Sequence, residues 1–422
     1  MLFIIYKSVF LLYNRMEYQY QKWKVFTLKR KILIIGGSYM NLQMKINLKN
    51  KDGNITPGSD YRYHPYGDSA ITAISVAKLG GDCVFSTRFG NDTNGKRLYE
   101  YYKACGISHE LMRKDEGAQT GMSISLYSTP CDYENFVASG ASMRFTKSEI
   151  DDAFVVMPDF FLVPLEEIGY EEHTVVVKSG EKKPAEDDEP SLSKSLAMIG
   201  ETKEGEKTAE EPTPEEGTTV EEPTPQPEKD DVIASETVTS YIERESLALY
   251  ALQKAVERKV DLILQYTPFT AKYPLETLDN IRVLVVSDEM LYSLTGFFPN
   301  NVEKSLRALM ALSQRVRAKY YVIQQEDHSV FIYDGTHYEI VTAPTPLAPN
   351  RDKEKDSGRK MHQTFTGALI AEYMESKNIV RAARFAIVTS LLTRSKFGNL
   401  EKVFSRAELE QYAAEHGIEL YR

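Results

Sequence analysis

The chain has 422 residues, enough for two or three domains of about 150 residues each and for a full hydrophobic core. Its formal net charge is −10, which argues against a general nucleic-acid-binding protein because such proteins carry an excess of basic residues. The three cysteines cannot form a disulfide framework and match no zinc spacing, so a reducing cytoplasm is the expected location. The sequence has no apolar run of about 18 residues and therefore predicts no transmembrane helix.

The first thirty residues differ in character from the rest of the chain. The segment MLFIIYKSVFLLY is apolar but short, and it lacks the basic start and small-residue cleavage site of a secretory signal. We interpret residues 1–30 as an irregular extension or the product of a start codon placed too far upstream. A peripheral membrane anchor is the alternative. The fold is expected to begin near Lys31.

An acidic segment interrupts the chain near its middle. Residues 181–231 hold 17 acidic and 6 basic side chains, a net charge of −11, which leaves +1 on the other 371 residues. The segment has seven prolines and no Phe, Tyr or Trp, so it cannot bury enough apolar surface to offset its ordering entropy. We predict an acidic, low-complexity insertion over residues 167–240, within which residues 181–231 are disordered and dispensable for folding. It is a solvated spacer or, alternatively, a docking segment for a protein partner.

The remaining chain alternates strand-like and helix-like segments. Short apolar runs predict strands, among them KILIIG, VFSTRFG and DFFLVP before the insertion, and VDLILQY, IRVLVVS and YYVIQQ after it. Segments with helical periodicity lie between them, among them SAITAISVAKLG, GKRLYEYYKACG and FTGALIAEYMESK. This alternation predicts one α/β domain, built from residues 31–166 and 241–422, with a mostly parallel sheet covered by helices on both faces. Extra strands near 43–65 and 121–138 predict a separate small sheet.

The order of several short motifs resembles the ribokinase-like (PfkB) family of carbohydrate and nucleoside kinases. The resemblance runs from about Lys31 to Arg422, apart from the insertion. It is carried by IIGGSYMNL (34–42), YGDSAITAISVAKLGG (66–81), FGNDTNG (89–95), LTG (294–296) and FTGALIAEYM (365–374). The resemblance implies a ribokinase-like fold with a small β-sheet lid, a possible homodimer through that lid, ATP and Mg²⁺ as cofactors, and a sugar or nucleoside as substrate.

The catalytic motif of the family is altered in this chain. Family members use an Asp two residues before the Phe of the Phe-x-Gly-Ala-Leu helix as the base that accepts the hydroxyl proton, and they use glycine amides to stabilise the developing charge. Here the stretch is DSGRKMHQTF (356–365), which places Gln363 at the base position. The glycines of the anion hole fall on Lys360 and His362, and Gly358 remains nearby. By resemblance, Gly358, Arg359 and Lys360 are the candidates for binding nucleotide or phosphate.

The other positions implied by the family are also altered. The sugar-holding Asp after the first strand falls on Leu42, with Asn41 beside it, and the sugar-holding Asn of the second motif falls on Ile71. The candidate substrate-binding residues are therefore Asn41, Gly67 and Asp68. The glutamate that supports Mg²⁺ falls on Met290. The nearby carboxylates Asp288 and Glu289 are candidate substitutes, with ordinary surface charge as the alternative interpretation. The nucleotide-site glycines are replaced within residues 324–329.

These losses favour a pseudokinase that acts as a ligand-binding or interaction module. Loss of a general base costs about 10² to 10⁴ in rate, and loss of an anion-stabilising donor costs about 10² to 10³. Two alternatives remain open. One is an active sugar kinase with rearranged carboxylates, such as Glu354, Asp356 or Asp288, and the other is a structural subunit of an assembly.

Overall fold

Strands and helices alternate along the chain in the structure, a computed structural model that describes residues 30–46, 57–127, 133–177, 239–325, 327–347, 362–394 and 403–421. The strands are β1 Lys31–Ile35, β2 Tyr39–Ile46, β3 Gly58–Tyr66, β4 Asp82–Gly90, β5 Met112–Asp115, β6 Gly121–Tyr127, β7 Tyr133–Ala138, β8 Phe160–Leu162, β9 Tyr170–Val177, β10 Thr239–Ser246, β11 Asp261–Gln265, β12 Ile281–Ser287, β13 Ala318–Gln324, β14 Val330–Tyr333 and β15 Tyr338–Val341. The α-helices are α1 Asp68–Lys78, α2 Thr93–Ala104, α3 Lys147–Phe154, α4 Leu247–Glu257, α5 Asp288–Thr295, α6 Val302–Ser313, α7 His362–Ser376, α8 Ile379–Arg394 and α9 Arg406–Glu415.

Nine strands form the central sheet, in the order β15-β14-β13-β12-β11-β8-β1-β4-β5. The pairs from β13 through β5 are parallel, and only the β13–β14 and β14–β15 pairs are antiparallel. The prediction of a mostly parallel sheet is confirmed. Its hairpin edge comes from the two short strands that follow β13 without an intervening helix.

Both faces of the sheet are buried, which explains why its strands are continuously apolar. Ile32 and Ile34 of β1 belong to a core that includes residues of α1, α2, α7, α8 and α9. Leu33 and Ile35 are equally buried and face the opposite side. On that second side, Phe154 of α3 contacts Phe161 of β8, with ring centroids 5.2 Å apart. Helices therefore cover both faces, as predicted.

Four strands form the separate small sheet, in the order β3-β2-β6-β7. We call this sheet the lid. One face is polar, because Asn41 of β2 lies directly opposite His64 of β3 and Ser123 of β6. The other face carries apolar side chains, and Tyr61, Tyr63 and Phe136 are each about half exposed.

The contacts of the chain divide it into two compact units, residues 1–171 with 245–422, and residues 172–244. In the second unit β9 and β10 form a two-stranded sheet, and Arg244 pairs with Glu172 at 3.1 Å. The expected insertion boundaries of 167 and 240 therefore included strand residues that the sequence did not predict as structured. The acidic residues 181–231, and residues 1–29, lie outside the described parts of the chain.

Helices α1 and α7 cross closely beside the sheet. At the crossing, a Cβ atom on Gly367 would lie 2.5 Å from Cβ of Ser75 and 2.8 Å from the carbonyl oxygen of Thr72. Only a residue without a side chain permits this approach. Because Asp68 begins α1 and Gln363 lies in the first turn of α7, the crossing also sets the distance between these two side chains.

We expect Gly367→Ala to lower the free energy of unfolding by about 1–3 kcal/mol, because overpacking forces the two helices apart. Chemical denaturation measures this loss. Glu100→Ala on the exposed side of α2 is the control and should change stability by less than about 0.5 kcal/mol. Equal stability of the two variants would contradict the close crossing.

None of the helices among the described residues combines the length and apolarity needed to cross a bilayer.

Candidate functional site

The candidate site lies at the carboxyl ends of the central parallel strands, where open α/β sheets generally bind ligands. The ends of β1, β8, β11, β12 and β13 meet there, because parallel strands all end at one edge of the sheet. Helices α1, α5 and α7 begin in the same region. The site therefore has two sides, one next to the lid and one where the family resemblance implies nucleotide.

Glu166 is the central acidic group beside the lid. It follows β8 and accepts hydrogen bonds from the backbone N–H of Gly37 at 3.0 Å and from the Tyr39 hydroxyl at 3.2 Å. Burial, together with the nearby charge of Asp68, raises the pKa of Glu166 to about 7. Sequence reasoning missed this residue. The available signal was a carboxylate placed just after the buried strand in DFFLVPLEE.

Asp68 is the second carboxylate of the site, at the first position of α1. Its side chain is half-buried and forms a hydrogen bond with Gln363, the residue at the base position of the family motif. Burial raises the pKa of Asp68, and the hydrogen bond from Gln363 partly opposes that shift. The structure thus brings together two residues that the sequence singled out separately. They are Asp68 as a substrate-site candidate and Gln363 as the altered base.

Tyr39, the first residue of β2 in the lid, contacts Glu166 and Gly67 of the candidate site. Its ring packs against Gly67, where an added Cβ would lie 3.2 Å from the ring and 2.9 Å from the carbonyl oxygen of Gly37. Gly67 also has a φ of +120°, which a residue with a side chain rarely adopts. The predicted site residue Gly67 therefore acts through its backbone, allowing Asp68 and Tyr39 to approach each other.

Asn41 lies on the polar face of the lid, the same face as Tyr39. Its side-chain oxygen accepts hydrogen bonds from the hydroxyls of Ser123 at 2.9 Å and Ser125 at 3.2 Å, and its amide nitrogen lies 3.2 Å from His64 Nε2. Leu42 points to the opposite, apolar face because successive side chains of a strand alternate. Leu42 therefore faces away from Tyr39, and the candidate substrate-binding residue Asn41 lies on the same face of the lid as Tyr39.

His362 is the first residue of α7 and lies at the side of the site where the family motif implies nucleotide. Its Nδ1 lies 2.5 Å from the side-chain oxygen of Gln324, at the end of β13, so this nitrogen donates the hydrogen bond. Burial lowers the pKa of His362, and the nearby charge of Glu289 opposes that shift. A neutral imidazole and a carboxylate therefore lie at the start of α7, where the family resemblance implies backbone amides open to phosphate.

The pair Asp288 and Glu289 begins α5. Asp288 is buried, and one of its carboxylate oxygens accepts a hydrogen bond from the backbone N–H of Glu289 at 2.8 Å. This carboxylate thus stabilises the first turn of the helix. The remaining predicted phosphate-site residues Gly358, Arg359 and Lys360, and the alternative carboxylates Glu354 and Asp356, lie outside the described parts of the chain.

Comparisons with known proteins agree with the fold and with part of the sequence. Residues 29–164 match the model of the pfkB family carbohydrate kinases. A stretch of 123 residues, 29% of this chain, is 24% identical to a bifunctional ribokinase/ribose-5-phosphate isomerase A of Fructilactobacillus sanfranciscensis and spans 23% of that protein's length.

The solved structures that resemble this chain include ribokinases. The Arabidopsis thaliana ribokinase complexed with ribose and ATP aligns with a TM-score of 0.57 and 16% identity, covering 90% of this chain and 98% of its own. The ribokinase of Giardia lamblia aligns with a TM-score of 0.59 and 14% identity, covering 92% and 99%. The resemblance expected from the sequence motifs is confirmed: residues 29–164 match the pfkB carbohydrate kinase family, and the chain has a ribokinase-like fold.

Proposed function

We propose that this protein binds a sugar or nucleoside beneath the lid and does not transfer phosphate to it. The observation that carries the proposal is the pairing of Asp68 with Gln363 beside Glu166. These groups supply several hydrogen-bond acceptors for ligand hydroxyls, and an amide occupies the position of the catalytic carboxylate. Asn41 contributes a further polar group from the lid. A small number of convergent polar groups is what fixes the orientation of a small ligand in a binding site.

The residues at the side of the site where the family motif implies nucleotide also support a loss of phosphoryl transfer. An amide cannot accept the hydroxyl proton near neutral pH, so Gln363 removes the general base. Glu289 places a negative charge near the start of α7, and His362 already bonds Gln324 there. Among the described residues this arrangement does not fit a magnesium triphosphate, which needs cations and open amides. No step that uses ATP or Mg²⁺ is therefore assigned to these residues.

A second candidate function is phosphoryl transfer with Asp68 as the replacement base. The specific observation in its favour is that the Asp68 carboxylate lies within hydrogen-bonding reach of Gln363, close to where the family motif places its own base. Its raised pKa would make Asp68 a stronger proton acceptor than an ordinary aspartate. In this alternative, Asp68 takes the proton of the attacking hydroxyl.

A ligand panel and a turnover assay distinguish the two functions. We expect sugars or nucleosides to raise the melting temperature without Mg²⁺ or ATP, because a ligand that binds only the folded state stabilises it. Asp68→Asn and Glu166→Gln should reduce this shift, whereas Glu110→Gln on the exposed surface should retain it. A panel in which no sugar or nucleoside binds would overturn the proposed function.

We expect no sugar-dependent ATP consumption by the wild-type protein, and Gln363→Asp should not restore it. Gln363→Asp restores only the general base, and the anion-hole glycines and the glutamate that supports Mg²⁺ remain absent. Positioning and electrostatic stabilisation contribute most to phosphoryl transfer, so the rate should stay low. Coupled ADP detection measures this rate. Turnover by the wild type that disappears in Asp68→Asn would establish the second candidate instead.

Two expectations about partners remain proposals. We propose that the exposed aromatic face of the lid, with Tyr61, Tyr63 and Phe136, pairs with a second copy of the chain. The acidic segment remains the candidate for docking a protein partner. A cytoplasmic location is proposed from the cysteine content alone.

A further inference from the structure

A concavity lies at the opposite edge of the central sheet from the candidate site. It has a volume of about 270 Å³ and is formed at the amino ends of β1, β8, β11, β12 and β13, together with the end of α7. These five strands are neighbours in the sheet, so the groups that precede or begin them form one continuous surface. Neither the family motifs nor the proposed function assigns a role to this edge.

The concavity has an excess of positive charge. Its charged lining consists of four cations and two carboxylates, namely Arg30, Arg282, Lys319, Lys377, Asp159 and Asp261. Both carboxylates already have partners. Asp261 accepts from Arg282 Nε at 2.8 Å, and Asp159 accepts from the backbone N–H of Lys31 at 2.8 Å.

The other three cations lack such partners. Within the described ranges no carboxylate forms an ion pair with Arg30, Lys319 or Lys377. Their positive charge therefore remains available to a ligand at this edge of the sheet.

Aromatic rings form the floor and hold two of these cations in place. The Arg30 guanidinium lies 5.7 Å from the centroid of Phe160, and the Lys319 ammonium lies 5.3 Å from that of Tyr320. Tyr373 lies between these rings, with its centroid 6.2 Å from Phe160 and 6.0 Å from Tyr320. The rings restrict the cations next to a low-dielectric surface, where their attraction for an anion is stronger than in water.

We propose that this concavity binds a small phosphomonoester that also carries hydroxyl groups. The three cations without carboxylate partners match a doubly charged phosphate, which forms strong charge-assisted hydrogen bonds with Arg and Lys. The second oxygens of Asp159 and Asp261 would accept hydrogen bonds from hydroxyls. A volume of about 270 Å³ admits a phosphorylated monosaccharide, whereas a macromolecular polyanion would need an extended basic surface.

Calorimetric titration of the full chain with glucose 6-phosphate tests the proposal. We expect saturable binding that weakens about tenfold or more in the double variant Lys319→Gln/Lys377→Gln, because the variant loses two charge-assisted hydrogen bonds to the phosphate. The matched control is Lys96→Gln/Lys103→Gln on the exposed face of α2, which should bind as the wild type does. Both double variants should melt at the wild-type temperature without ligand.

Glucose and the variant Glu166→Gln separate this concavity from the candidate site. Glucose lacks the phosphate and should not bind here, and Glu166→Gln should leave the affinity for glucose 6-phosphate unchanged. Absence of saturable binding at low salt, equal affinity in the two double variants, or loss of binding in Glu166→Gln would each overturn the proposal. The first two outcomes do not bear on whether a sugar binds beneath the lid, whereas the third would place the sugar phosphate there.

Discussion

Replacing Glu372 by alanine is expected to lower the free energy of unfolding by about 3–5 kcal/mol, the usual cost of removing one partner from a buried ion pair. Glu372 of α7 is completely buried. It accepts hydrogen bonds from Arg381 Nε at 2.6 Å and from Arg406 Nη1 at 2.8 Å. Since Arg381 belongs to α8 and Arg406 to α9, this one carboxylate joins three helices. Its loss would leave the largely buried Arg406 guanidinium without its main counter-ion.

Glu375→Ala provides the control for this prediction. Glu375 lies one turn further along the same helix and also pairs with Arg406, at 3.2 Å, but its side chain is 63% exposed. Exposed ion pairs contribute about 0–1 kcal/mol, so the control should melt close to the wild type. Urea denaturation of the two variants measures the difference. Similar losses of unfolding free energy in Glu372→Ala and Glu375→Ala would contradict the prediction, because they would show that burial does not make the ion pairs of Glu372 stronger.

The sequence predicted the central sheet well because its signals are local. Buried parallel strands read as short apolar runs, and helices between them, such as α1 and α2, carry clear periodicity. Strands β9 and β10 were missed because they lie at the borders of the acidic segment, where composition suggested disorder. Their pairing joins residues about 70 positions apart, and no local pattern reports such a contact.

The candidate site was predicted only in part. Gln363 and Asp68 were identified from motif positions, but their contact depends on the crossing of α1 and α7, which no spacing along the chain reveals. Glu166 was missed for a related reason, since a carboxylate after a strand is ordinary until the fold buries it. Asn41 was chosen although the family position fell on Leu42, and only the strand register shows which of the two shares a face with Tyr39, because a shift of one residue in a strand reverses the face on which a side chain lies.

Glu166 and Asp68 make the stability of the protein depend on pH in an unusual direction. Burial and the charge of Asp68 raise the pKa of Glu166 to about 7, against 4.5 for an unperturbed glutamate. Between these two values the folded protein holds a proton that the unfolded chain releases. The stability contributed by this proton is therefore complete below about pH 4.5 and is lost as the pH rises through about 7. The raised pKa of Asp68 acts in the same direction.

Glu166→Gln should therefore flatten the dependence of stability on pH. One pKa unit corresponds to about 1.4 kcal/mol, and partial access of solvent to Glu166 reduces the effect, so we expect the variant to be about 1–3 kcal/mol more stable than the wild type at pH 8. Near pH 5 the two should be similar. Denaturation curves from pH 5 to 8 measure this, with Glu110→Gln as the exposed control that should follow the wild type.

The same substitution should weaken ligand binding although it stabilises the fold. Ligand hydroxyls donate to the ionised carboxylate, so binding favours the charged form of Glu166, and the affinity of the wild type should rise as the pH increases through about 7. Glutamine provides no charged acceptor, and we expect an affinity about tenfold lower at pH 8, with no rise with pH. Suppose that the variant is more stable than the wild type, binds the ligand less tightly, and has an affinity that no longer depends on pH. These results would identify Glu166 as a group that lowers the stability of the fold and contributes to ligand binding. Stability curves that stay parallel from pH 5 to 8, or an affinity that still rises with pH in Glu166→Gln, would show that another group titrates in the site.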